Sequence, residues 1–88
     1  MKYSLVFTER FKKEVSKLDN SEKKLLKGWI LKHLVDCENP RAFGKPLVEN
    51  KNGYWRYRVG NYRIIVEIHD SQFIILALTF GHRSEVYK

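Results

Sequence analysis

Apolar and polar residues alternate along the chain with two successive periods, helical in the first half and strand-like in the second. Residues 2–7 (Lys-Tyr-Ser-Leu-Val-Phe) are β-prone and lead to Thr8, whose hydroxyl suits a helix N-cap. Phe11, Val15 and Leu18 then recur at helical spacing, with Lys12, Lys13 and Lys17 on other faces. Asp19 and Glu22 have capping-box spacing, with Asp in place of the usual Ser or Thr, and they open a second helix. Its apolar stripe is Leu25, Leu26, Trp29, Ile30, His33 and Leu34. That helix should fade near Cys37, because Asn39-Pro40 disfavours continuation. A polar connection through Arg41, Gly44, Lys45 and Pro46 follows.

From Gly53 the period changes. Tyr54-Trp55-Arg56-Tyr57-Arg58-Val59 alternates, and Tyr62-Arg63-Ile64-Ile65-Val66-Glu67-Ile68 is rich in β-branched residues. Gly60-Asn61 between them suits a two-residue hairpin loop of type II′, with Gly first. Asp70-Ser71 supplies the next turn. Phe73 to Phe80 is apolar on both parities, which predicts a central strand covered on both sides and ended by Gly81. Two helices followed by a mostly antiparallel sheet of four to five strands predict an α+β fold, with the helices on one face. No repeat or linker interrupts residues 1–88, so one domain is expected.

Composition narrows the class. Apolar residues make up 43% of the chain and Pro plus Gly only seven positions, which excludes disordered, collagenous and low-complexity chains. Cys37 is the single cysteine, so neither an intramolecular disulfide nor a Cys-rich metal site is available, and a cytoplasmic location is expected. No apolar run is long enough to span a bilayer as a helix, and no secretory h-region follows Met1, so no membrane partner is expected. Seventeen Lys and Arg against ten Asp and Glu leave a net charge of +7. On so small a surface that predicts attraction to a polyanion without naming one.

The kind of cation is more telling than the sum. Four of the six arginines (Arg56, Arg58, Arg63 and Arg83) lie in the strand-rich half, while most lysines lie in the helices. Side chains alternate across a strand, so Arg56 and Arg58 share one face and Trp55, Tyr57 and Val59 the other. A turn at Gly60-Asn61 pairs Arg58 with Arg63 and gathers all three arginines on one side of the hairpin. Like charges directly across a strand pair cost a few tenths of a kcal/mol up to about 1. An anion between them reverses that sign, and guanidiniums grip phosphate with planar, often bidentate hydrogen bonds. Tyr54 and Tyr87 flank the set and could stack on bases, which fits single-stranded RNA better than a duplex. The same spacing also describes a solvated strand face whose arginine stems cover apolar neighbours such as Ile65.

Other candidates carry less. His33 falls on the apolar helix stripe and is expected in the core, while His69 abuts a turn and is expected to be solvated. Glu67 points to the arginine side, where it balances charge. No His, Asp or Glu set has metal-ligand spacing, and Gly44-Lys45 lacks the rest of a phosphate loop.

Trp55-Arg56-Tyr57-Arg58-Val59-Gly60-Asn61-Tyr62-Arg63-Ile64-Ile65, closed by Gly81-His82-Arg83-Ser84-Glu85-Val86-Tyr87, resembles the RelE/StbE branch of the bacterial RelE/ParE toxin superfamily. Gly44-Lys45-Pro46-Leu47 and the N-terminal strand–helix–helix order match as well, so the likeness covers nearly the whole chain. The resemblance implies a RelE-like microbial ribonuclease-type fold and the toxin of a type II toxin–antitoxin system. It further implies an mRNA interferase, a cofactor-free and metal-free endoribonuclease that cuts mRNA in the ribosomal A site. The implied partners are the ribosome, its mRNA and a small RelB-like antitoxin held in a hetero-oligomeric complex.

By position, Arg56 and Arg58 match the family's basic pair before the hairpin, Arg63 the arginine on the next strand, Arg83 the basic residue after Gly81, and Tyr87 the C-terminal tyrosine. His82 stands where some relatives use a histidine. The implied catalytic set is therefore Arg56, Arg58, Arg63, His82, Arg83 and Tyr87. Lys45 and Tyr54, with the four arginines and Tyr87, are the implied RNA contacts. Some relatives carry lysines at the paired strand positions, whereas arginine here stays protonated and serves as an electrostatic clamp rather than a general base. Proton transfer then falls to His82, Tyr87 or a ribosomal group. Two other functions fit the same fold: a ParE-like DNA gyrase inhibitor, and a non-catalytic RNA- or ribosome-binding domain.

Overall fold

In the computed structural model, which describes residues 2–46 and 54–82, two helices lie on one face of a five-stranded sheet. The elements are β1 (Ser4–Phe7), α1 (Glu9–Ser16), α2 (Asn20–His33), β2 (Gly44–Pro46), β3 (Tyr54–Val59), β4 (Tyr62–His69) and β5 (Ile74–His82). Single 3₁₀ turns at Pro40–Ala42 and Asp70–Gln72 precede β2 and β5. Both helices begin at the expected caps: Thr8 Oγ1 accepts from the Phe11 N–H at 3.1 Å, and Asp19 Oδ1 from the Glu22 N–H at 2.8 Å. Each satisfies a backbone donor that the first helical turn cannot pair internally.

α2 ends at His33, earlier than the Asn39-Pro40 signal implies. Asp36 takes a left-handed φ of 56°, which turns the chain before the proline is reached. Pro40 instead starts the 3₁₀ turn, where Asn39 caps the Arg41 N–H at 3.3 Å.

The strand order is β1-β5-β4-β3-β2, with β1 parallel to β5 and every other pair antiparallel. Gly60 alone of the two turn residues takes a positive φ, +60°, as a type II′ turn requires. Val59 therefore pairs with Tyr62 and Arg58 with Arg63, as the turn length predicts. Between β4 and β5 the register slips: Ile65 faces Thr79 while Val66 faces Ala77, which leaves Leu78 as a bulge. Glu14 of α1 grips that irregularity, accepting from the Thr79 hydroxyl at 2.7 Å and the Phe80 N–H at 3.0 Å.

The core lies between helices and sheet. Phe11, Leu26, Ile30 and Leu34 pack on Tyr57, Val59, Ile64, Val66, Ile68, Ile75, Ala77 and Phe80. Each fully buried side chain of this size is worth about 1.5–3 kcal/mol. Leu25 departs from the expected stripe and is 54% exposed, and Phe73 belongs to a left-handed turn (φ 52°) rather than to β5. β5 also runs through Gly81, which pairs with Arg63, instead of stopping there. Gly44–Pro46 is an edge strand where the sequence implied only a polar connection. Among the described residues no helix is long and apolar enough to cross a membrane.

Candidate functional site

The sheet face turned away from the helices collects the cations. Lys45 on β2 stands opposite Arg56 on β3, and Arg58 on β3 stands opposite Arg63 on β4. Residues directly opposed in an antiparallel ladder project to the same face, so all four side chains rise together. They line a pocket of about 320 Å³ with Ala42, Phe43 and Gly44. Beyond Arg63 the next strand contributes Gly81, which adds no side chain to the site.

Arg63 is the unusual member. It is only 8% exposed, the one charged residue in the buried class among the described residues. Its hydrogen bond is a long 3.5 Å contact from Nη1 to the Tyr62 carbonyl, and among the described residues no carboxylate pairs with it. A desolvated guanidinium without a counter-ion is costly, and the cost falls when an anion enters. Glu67 lies further along the same face of β4, but its Oε1 is 2.5 Å from His69 Nε2. Among the described residues that line the pocket, the charged ones are all cations, and His69 is paired rather than simply solvated.

Gly44 sets the pocket's outer wall. A Cβ there would collide with the Arg56 carbonyl oxygen and stand 2.7 Å and 2.8 Å from the Tyr57 and Trp55 rings. Only glycine lets β2 close on β3 and set Lys45 beside Arg56. Behind β3, burial pushes the Tyr57 phenol well above its ordinary value, and its hydroxyl donates to the Pro40 carbonyl at 2.6 Å. That bond ties the turn before β2 to the core. His33 is half-buried rather than in the core, set between the Trp29 ring at 4.6 Å and the Phe43 ring at 5.0 Å.

Lys45, Arg56, Arg58 and Arg63 are thus brought together. Tyr54 opens β3 opposite Glu67, at the end of the strand remote from the Arg58–Arg63 pair. His82 is placed on the other side of the sheet: its ring meets Tyr62 edge-on at 5.8 Å, and Tyr62 stacks on core Phe80. The bulge at Leu78 causes this by shifting the parity of β5, so that Phe80 and His82 follow Ala77 toward the helices. Arg83 and Tyr87 lie outside the described residues. Phe43 lines the pocket and was absent from the sequence-derived set; a lone aromatic in an otherwise polar connection was the available signal. Among the described residues no group of three or more His, Cys, Asp or Glu side chains is placed to hold a metal ion.

The family model for the ParE toxin of a type II toxin–antitoxin system matches residues 5–87. No curated protein matches significantly. Among solved structures, the chain is similar to one from the RelBE2 toxin–antitoxin complex of Mycobacterium tuberculosis, with 25% identity and a TM-score of 0.80 over 97% of this chain and 95% of that one. The isolated RelE toxin of E. coli shares 28% identity at a TM-score of 0.73, over 97% of this chain and 90% of its own. A chain of the RelB–RelE antitoxin–toxin complex of Methanococcus jannaschii shares 25% identity at a TM-score of 0.69, over 93% and 94% respectively.

Proposed function

The chain belongs to the ParE toxin family of type II toxin–antitoxin systems, within the RelE/ParE superfamily, and from that premise we propose that it is an mRNA interferase acting on translating ribosomes in the cytoplasm. The observation that carries this reading is the buried Arg63, set without a carboxylate partner among the described residues and beside three further cations in one pocket. Similarity to RelE toxins at 25–28% identity supports the same branch. A RelB-like antitoxin is the proposed partner, since two of those structures are toxin–antitoxin complexes.

The chemistry follows from the cations. In RNA cleavage the ribose 2′-oxygen bonds to the adjacent phosphorus and the P–O5′ bond breaks, giving a 2′,3′-cyclic phosphate and a 5′-hydroxyl. One proton leaves O2′ and one arrives at O5′. Between those states the phosphorane carries two negative charges, and preorganised donors stabilise it more than they stabilise the starting diester. Arg58 and Arg63 are assigned to that charge, with Lys45 and Arg56 holding the strand. Arg83 is proposed to join them, and Tyr87 to orient a base. Permanently charged guanidiniums do not take up a proton, so proton transfer is assigned to Tyr87 or a ribosomal group, with His82 turned toward Tyr62.

The test is to add the protein to ribosomes programmed with a defined message and map the RNA ends. Cyclic phosphate and 5′-hydroxyl ends at A-site codons, with naked mRNA left whole, are expected. Intact mRNA would sink the proposal. Intact mRNA with gyrase-dependent DNA breaks in expressing cells would establish the second reading, a gyrase inhibitor, which the name of the matching family model favours.

A further inference from the structure

We infer that Phe43 is a stacking platform for an RNA base, seated beside the cations that hold that nucleotide's phosphate; the inference rests on the RNA reading above. Phe43 is large, apolar and 43% exposed, yet it lines the same pocket as Lys45, Arg56, Arg58 and Arg63. The ring is packed against a neighbour rather than projecting alone. Its turn is capped by Asn39, and Pro40 within that turn is buried and bonded through its carbonyl to the Tyr57 hydroxyl at 2.6 Å. The ring itself meets His33 edge-on at 5.0 Å, with an interplanar angle of 66°. His33 Nδ1 lies 3.1 Å from the Trp29 carbonyl, so the support is fixed in turn. The Phe43 ring is thus braced against His33, and the residue, 43% exposed, borders the anion pocket.

That combination fits a nucleotide. Single-stranded RNA is bound by cations that track its backbone and by aromatic faces on which bases stack. The 320 Å³ pocket lies at the small end of ligand sites, and it joins both kinds of surface. Phe43 offers no hydrogen-bonding group, so it favours no base by its edge and leaves codon choice to other contacts.

The inference is tested with an mRNA on programmed ribosomes that carries 5-iodouridine in the A-site codon, and 2′-deoxy sugars there to keep the strand whole. Irradiation is expected to cross-link the base to Phe43, located by mass spectrometry of the digested protein. On cleavable mRNA, Phe43→Ala and Phe43→Leu should each lower kcat/KM by about 5- to 150-fold, the worth of one stacked base. Phe43→Trp should restore most of that loss. A purely structural Phe43 predicts the opposite order, with Leu tolerated and Trp disruptive. Cutting by the wild type with cross-links elsewhere, or a Leu variant that cuts as well as Trp, overturns the inference and leaves the RNA reading standing. Cross-linking at Phe43 without any cutting by the wild type upholds the platform and removes the nuclease. Neither cross-link nor cutting removes both.

Discussion

Arginine is used in two opposite ways in this small fold. Arg41 is partly exposed and fully paired: its Nη1 and Nη2 donate to Asp70 Oδ1 and Oδ2 at 2.8 and 2.9 Å, while the Tyr3 hydroxyl donates to the same carboxylate at 2.6 Å. Its guanidinium also lies over the Trp55 ring, 5.9 Å from the centroid. Arg63 is buried, faces Arg58 across the ladder and has no carboxylate partner among the described residues. The first arrangement serves the fold, clasping the turn before β2 to the turn before β5. The second works against it. A charge buried without a carboxylate partner among the described residues, in a fold that forms a bidentate pair elsewhere, is the feature on which the proposed anion site rests.

Replacing Arg63 should break the comparison most visibly. In Arg63→Met, stability is expected to hold or rise by up to about 1 kcal/mol, because a buried charge gives way to an apolar side chain of similar length. Cutting on programmed ribosomes should fall by about 10²- to 10³-fold, the usual loss when one preorganised transition-state donor is removed. Denaturant midpoints and single-turnover rates measured on the same preparation check both halves. A variant that unfolds would assign Arg63 to the fold instead.

Gly44→Ala tests the wall that closes the cationic pocket. The added methyl group must move β2 off β3 or twist the Trp55 and Tyr57 rings. Overpacking of this kind costs about 1–3 kcal/mol. In a domain this size each kcal/mol lowers the melting temperature by about 4–8 °C. Thermal unfolding should show the drop, and a melting temperature at the wild-type value would mean that β2 is not held by that close approach.

The hairpin and its arginines were legible in the sequence because both rules involved are local. Strand alternation fixes the faces, and a Gly-first two-residue turn fixes the register, so Arg58 had to meet Arg63. Capping by Thr8 and Asp19 was legible for the same reason. β2 was not: three residues, Gly44 to Pro46, become a strand only by pairing with β3, and that pairing depends on collisions which spacing does not display. Phe43 was overlooked with it: a lone aromatic stands out in the connection, but the pocket it borders forms only when β2 pairs with β3. His82 went astray through one residue. Phe73 to Phe80 is apolar on both parities, so the pattern could not reveal a bulge at Leu78, and everything after it changed face. Long-range pairing and a single inserted residue are what a one-dimensional pattern lacks.

The smallest expected effect belongs to the clasp, and acid should reveal it. Hydrogen bonds from Arg41, then from Tyr3, hold the Asp70 carboxyl down at about 2, below its ordinary 3.8. A carboxylate whose folded value is depressed adds stability that is fully present above the unfolded value and lost as pH falls toward the folded one. The contribution should therefore be complete above about pH 5, mostly lost by about pH 2 and gone only below it. Asp70 is more than half exposed, so solvent screens the pair and its worth stays under about 1 kcal/mol. Asp70→Asn cannot ionise and loses this increment at every pH. The gap between wild-type and variant denaturant midpoints should then be largest near neutrality and close between pH 5 and 2. A gap that persists unchanged to pH 2 would mean that packing of the Asp70 side chain, and not its charge, joins the two turns.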